Sequence, residues 1–173
     1  MRYYISDCHF FHGTLNTKMD NRGFESTEAM NEYMIRKWNA KVKHNDEVVI
    51  IGDLSWGNAE ETNKLLNKLH GRLYLIQGNH DRFLTNGNYN ANRFVWVKPY
   101  AEMHDNGRKV VLCHYPIMCY NGQYRLDDKG NPLHTIFRKS IFLTKMAQAN
   151  HESTKIKVVD EFGNTAWVTN EQA

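Results

Sequence analysis

Apolar residues gather in four short runs: Tyr3-Tyr4-Ile5, Val48-Val49-Ile50-Ile51, Leu73-Tyr74-Leu75-Ile76 and Val110-Val111-Leu112-Cys113. Near-continuous runs of this length suit strands covered on both faces, as in a sheet flanked by other layers. Between the first three runs the apolar spacing becomes helical. Over Glu28 to Asn39, the residues Met30, Tyr33, Met34 and Trp38 fall on one face. Over Ala59 to His70, Thr62, Leu65, Leu66 and Leu69 do the same. Asn58 precedes that second segment as an N-cap, with Glu61 three positions on, and Gly71 supplies a stop. Strand, helix, strand, helix, strand over residues 1 to 77 predicts an α/β fold.

Two stretches depart from this rhythm. Thr85 to Asn92 is rich in Asn and Gly, which adopt turn conformations at low cost, and reads as a surface loop. Near the carboxyl end, Lys155 to Val159 and Thr165 to Thr169 flank Gly163-Asn164 and predict a hairpin. No function is attached to it. There is no internal repeat.

Composition narrows the class. The chain has 173 residues, 41% hydrophobic and 24% charged, which suits one folded domain over residues 1–173 with a full core. No apolar run reaches the roughly 18 residues of a membrane-spanning helix. The amino terminus turns polar by Ser6-Asp7 without an apolar signal core, so a cytoplasmic location is expected. Cys8, Cys113 and Cys119 have neither metal-finger spacing nor an even count, and predict no disulfide framework. The net charge of +3 is spread without a basic block, which argues against nucleic acid as the partner and accommodates a small anionic substrate.

The chemistry sits where the apolar runs stop. The first leads into Ser6-Asp7-Cys8-His9, the second into Gly52-Asp53, the third into Gly78-Asn79-His80-Asp81 and the fourth into His114-Tyr115-Pro116. Ligands in open α/β sheets collect at the carboxyl ends of strands, so four such exits can converge. Asp7 and His9 are two apart, a spacing that in extended backbone points both the same way. Gly52 and Gly78 allow a sharp exit from the strand. Asp, Asp, Asn, His and His combine hard oxygen with borderline nitrogen, a set suited to Mn²⁺, Fe²⁺ or Zn²⁺. In the order of motifs, Asp53 is placed to bridge two ions. Any one of these motifs alone reads as structural; the four together, each at a strand end, do not.

The joint pattern resembles the calcineurin-like metallophosphoesterases, especially their small single-domain bacterial and phage members. The likeness covers about residues 1 to 122, from Ser6-Asp7-Cys8-His9-Phe10-Phe11-His12 through Lys37-Trp38-Asn39 to His114-Tyr115-Pro116 and Asn121-Gly122, and the chain diverges beyond. The resemblance implies a four-layer α-β-β-α sandwich with a two-metal site. Asp7, His9 and Asp53 would hold one divalent ion, and Asp53, Asn79 and His114 the other. His80 would face a small phosphorylated substrate, with Asp81 orienting its ring. Arg22, Arg82 and Arg125 are candidate phosphate contacts, surface solvation being the competing reading of each. The family's closing Gly-His-x-His motif does not occur in this sequence. It is expected near Pro132 to Lys145, and His134 or His151 are its only nearby substitutes. A metal-dependent phosphomonoesterase or phosphodiesterase is therefore the leading expectation. A binding relative without turnover and a nuclease are the alternatives.

Overall fold

The computed structural model describes residues 1–85 and 87–132, together with the backbone of strand residues 134–137, 155–159 and 165–169. The chain divides into two compact units, Met1–Lys139 and Ser140–Ala173. The first holds a sheet of four parallel strands in the order β1 (Arg2–Ile5), β2 (Glu47–Ile51), β3 (Arg72–Ile76) and β4 (Phe94–Lys98). Helix α1 (Thr27–Lys41) connects β1 to β2, and α2 (Ala59–Lys68) connects β2 to β3. A second sheet pairs β5 (Tyr100–Asp105) antiparallel with β6 (Arg108–Cys113), which pairs parallel with β7 (His134–Phe137). In the second unit, β8 (Lys155–Val159) and β9 (Thr165–Thr169) form the antiparallel pair expected there.

The alternation of strand side chains accounts for the layers. Val48, Ile50, Leu73 and Leu75 share one buried cluster with Trp38, Leu65, Leu66 and Leu69 on the helical side. Their neighbours Val49, Ile51, Tyr74 and Ile76 share the other with Ala101, Val110 and Leu112 of the second sheet. Every interior position of β2 and β3 is covered, as their unbroken apolar runs require. The first unit is an α/β sandwich. Its described residues supply three layers, helices, parallel sheet and second sheet; an outer helical layer is not among them.

Local signals held where they were strongest. Asn58 and Glu61 form a reciprocal capping box at α2. Ser26 caps α1 by accepting from the amide of Ala29. The loop at 85–92 is fastened through Asn63, which accepts from the amide of Asn90 and donates to the carbonyl of Asn88. Strands β4 and β5 were not foreseen. The turn after β5 carried a usable signal, since Asn106 and Gly107 both adopt positive φ (47° and 77°) between paired Asp105 and Arg108, as a two-residue hairpin demands.

Candidate metal centre

Register brings the strand ends level: Ile5 lies opposite Ile50, and Ile51 opposite Ile76. Beyond β1 and β2 the two exits continue side by side. The amide of Asp7 donates to the carbonyl of Gly52 (3.1 Å), that of His9 to Asp53 (2.9 Å) and that of Phe10 to Leu54 (3.0 Å). This ladder sets Asp7 and His9 against Asp53. All three take positive φ, at 54°, 51° and 55°. Asp and His tolerate that region better than most residues, but it costs energy that surrounding structure must offset, and such positions concentrate at functional sites.

Asp53 is the centre of the arrangement. It is fully buried, and its Oδ2 lies 3.5 Å from Nε2 of His9 and 3.5 Å from Nε2 of His114. Its Oδ1 accepts from the amide of His80 (2.9 Å). Asp7 Oδ1 is 3.6 Å from His9 Nε2. Donor atoms of Asp7, His9 and Asp53 all fall within 4.8 Å of one another, the spacing of a metal-binding group. On the other side of Asp53, His114 arrives from the end of β6 in the second sheet.

The His114 ring tests whether a cation fits. Its Nδ1 lies 3.0 Å from the carbonyl of Ile51, which can only accept, so Nδ1 carries the proton. Nε2 then faces Asn79 Oδ1 at 3.0 Å and Asp53 Oδ2 at 3.5 Å. With the ring neutral, the Nε2 lone pair would face two oxygen acceptors, an arrangement that a bound cation relieves. A histidine fixed by a backbone carbonyl through its far nitrogen is also a common second-sphere pattern of metal sites. The donor set therefore fits a divalent cation beside Asp53.

The two glycines are there for room. A Cβ on Gly52, whose φ is 77°, would enter the ring of His114. A Cβ on Gly78 would meet the amide and carboxylate of Asp53.

Asp81 accepts hydrogen bonds from the backbone. Its Oδ1 accepts from the amides of Leu54 (2.7 Å) and Ser55 (3.3 Å), and its Oδ2 from Asp53 (3.0 Å) and Gly78 (2.9 Å). Four amides occupy the four lone-pair positions, so the carboxylate clamps the exits of β2 and β3. Burial raises its carboxyl above the ordinary value, and the amides of Gly78, Ser55 and Leu54 counter only part of that.

Sequence reading misjudged Arg22. Its side chain is only 6% exposed, and it donates to the carbonyl of Cys8, between the ligands Asp7 and His9. Arg82 is exposed and lies over Trp56, and Arg125 is exposed. Two residues near His80 were not singled out at all: His12, buried, and Trp56, part of an aromatic group described below. The segment expected to hold Gly-His-x-His lies largely outside the described residues, as does His151, and only the backbone of His134 is described.

The carboxylate and imidazole donors gathered at the strand ends of this α/β sandwich form a group that could hold a metal ion. The chain is a member of the calcineurin-like phosphoesterase family, whose model matches residues 3–163. It is 36% identical over 120 residues to an uncharacterized protein of Methanocaldococcus jannaschii, covering 68% of this chain and 60% of that one. It is similar in structure, with a TM-score of 0.54 and 26% identity, to the crystal structure of a protein of unknown function from Aquifex aeolicus; the match covers 67% of this chain and 61% of the other. The chain thus spans about three fifths of either relative. The family typically binds divalent metals. No described helix is long and apolar enough to cross a membrane.

Proposed function

We propose that the chain hydrolyses a small phosphomonoester or phosphodiester with two divalent ions, one at Asp7, His9 and Asp53 and one at Asp53, Asn79 and His114. The observation carrying this reading is Asp53 Oδ2, equidistant at 3.5 Å from the Nε2 atoms of His9 and His114. Ions bound there would supply Lewis-acid activation of water and of the phosphoryl oxygens. The chain's own residues would do the rest. His80, held by its amide on Asp53 and partly exposed, would face the substrate and steady the charge that develops on the phosphoryl group or protonate the leaving oxygen. The clamp of Asp81 would keep the two loops that carry Asp53 and Asn79 at fixed separation. Exposed Asn79 marks the open side from which substrate would enter.

The test is hydrolysis of p-nitrophenyl phosphate and its bis ester after metals are stripped and Mn²⁺ is restored. Metal-restored turnover is expected, with loss of at least about a hundredfold in Asp53→Asn while the protein stays folded. Activity and metal content retained by that variant would remove the bridging role. A folded, metal-binding protein without turnover on either ester would favour a binding relative, the reading that the absent Gly-His-x-His motif supports.

A further inference from the structure

Beside the proposed centre stands an aromatic assembly that the metal donors do not use. Trp56, on the loop between β2 and α2, is 40% exposed and belongs to neither hydrophobic core cluster. His12 lies flat against it, with ring centroids 4.0 Å apart and planes 8° from parallel. His80 is 4.5 Å from the indole centroid, inclined by 39°, and 6.3 Å from His12. These separations make a nearly right-angled triangle with Trp56 at the corner. His80 therefore stands beside the indole and not across it from His12. On an exposed side, the Arg82 guanidinium carbon lies 5.6 Å from the indole centroid, at the end of a solvent-facing side chain.

The fold itself has little use for this arrangement. A large indole left partly in water forgoes burial worth roughly 25 cal/mol per Å² of apolar surface. His12 is buried to back it, and its Nδ1 has no hydrogen-bond partner among the described residues. An unmet buried ring nitrogen is destabilising. What the assembly does offer is a flat, partly wet aromatic surface next to the residue that would face the phosphoryl group, with the guanidinium of an exposed side chain over it that an incoming ring would displace outward.

We infer that Trp56 is the platform on which a planar ring of the substrate stacks, backed by His12, with Arg82 closing over the ring or pairing with a further anionic group. This rests on the phosphoesterase reading and narrows its substrate class to phosphoesters that carry a flat aromatic group close to the phosphate, as a mononucleotide does. The sugar of a nucleoside monophosphate bridges a phosphate at the metal donors and a base on the indole. Stacking, being tolerant of base identity, would select for the ring before the particular base. Arg82 adds the attraction of a cation for an aromatic face.

The experiment compares AMP with ribose 5-phosphate, which shares the phosphate and sugar but lacks the ring. Binding of the non-hydrolysable phosphonate analogues of both compounds is measured by calorimetry on the Mn²⁺-loaded protein, for the unaltered chain, Trp56→Ala and Trp56→Phe. The unaltered protein should prefer AMP by about tenfold, Trp56→Phe should keep part of that preference, and Trp56→Ala should lose it. Equal affinity of the unaltered chain for both compounds would overturn the inference. So would a preference that survives Trp56→Ala, or a Trp56→Ala variant that weakens both compounds equally and so marks the indole as a support for His80. Failure of the phosphoesterase reading registers separately, as absent metal-restored turnover, and leaves this comparison intact.

Discussion

Asp81 illustrates how a carboxylate can be indispensable without touching substrate. Its two oxygens each receive two amides from the loops after β2 and β3. Replacing it with Asn puts an NH₂ group against two amide donors whichever way the amide turns. Asp81→Asn should therefore lose about 2–3 kcal/mol of stability, read as a lower urea midpoint, and weaken Mn²⁺ binding with it. An Asp81 that served mainly to orient His80 would instead lower turnover and leave the midpoint unmoved. Residue identities at the strand ends were legible in the sequence because donor types and their position after apolar runs are one-dimensional facts. The partners of Asp81 and Arg22 were not. Both act on backbone groups, Asp81 across 26 to 28 residues toward β2 and Arg22 across 14 toward Cys8, and no spacing rule announces such contacts.

Among the elements, the parallel strands are tied at their amino ends by Glu47. Its carboxylate accepts from the Tyr74 hydroxyl on β3 (2.7 Å) and from Arg2 on β1 (2.8 Å). These bonds, the tyrosine first, hold its carboxyl below the ordinary value of 4.5. A carboxyl lowered on folding adds stability above its unfolded pKa, and that stability is lost as pH falls through the folded value. Glu47→Gln should thus cost about 1–2 kcal/mol at neutral pH, and the difference should shrink in unfolding titrations as pH falls below the ordinary value of 4.5. A cost that persists unchanged in acid would mean the carboxylate's charge is irrelevant. The helices and inner strands could be read in advance because each declares itself by period, cap or unbroken apolarity. Strand β4 could not, since Val95 is exposed and Trp96 and Val97 are only half covered, which blurs both the continuous and the alternating pattern. β5 alternates Ala101 and Met103 with polar residues, but its burial depends on the facing sheet.

For the whole molecule, the proposed centre is a place where three residues at positive φ and two carboxylates are held together. Ions that bind only the folded chain shift its unfolding equilibrium by mass action. At about a hundred times its dissociation constant, Mn²⁺ should add about 2.7 kcal/mol and raise the melting temperature by roughly 5–10 °C, reversibly on addition of EDTA. The gain should be absent in Asp53→Asn. The position of His114 carries a last consequence. Asp7, His9, Asp53 and Asn79 all follow strands of the first sheet, whereas His114 ends β6 of the second. During synthesis the first donor set is complete once residue 53 has emerged, long before the sixth strand exists. One half of the centre could therefore take up metal while the other half waits for the second sheet to dock, so that two ions, chemically alike, would be acquired at separate moments in the life of the chain.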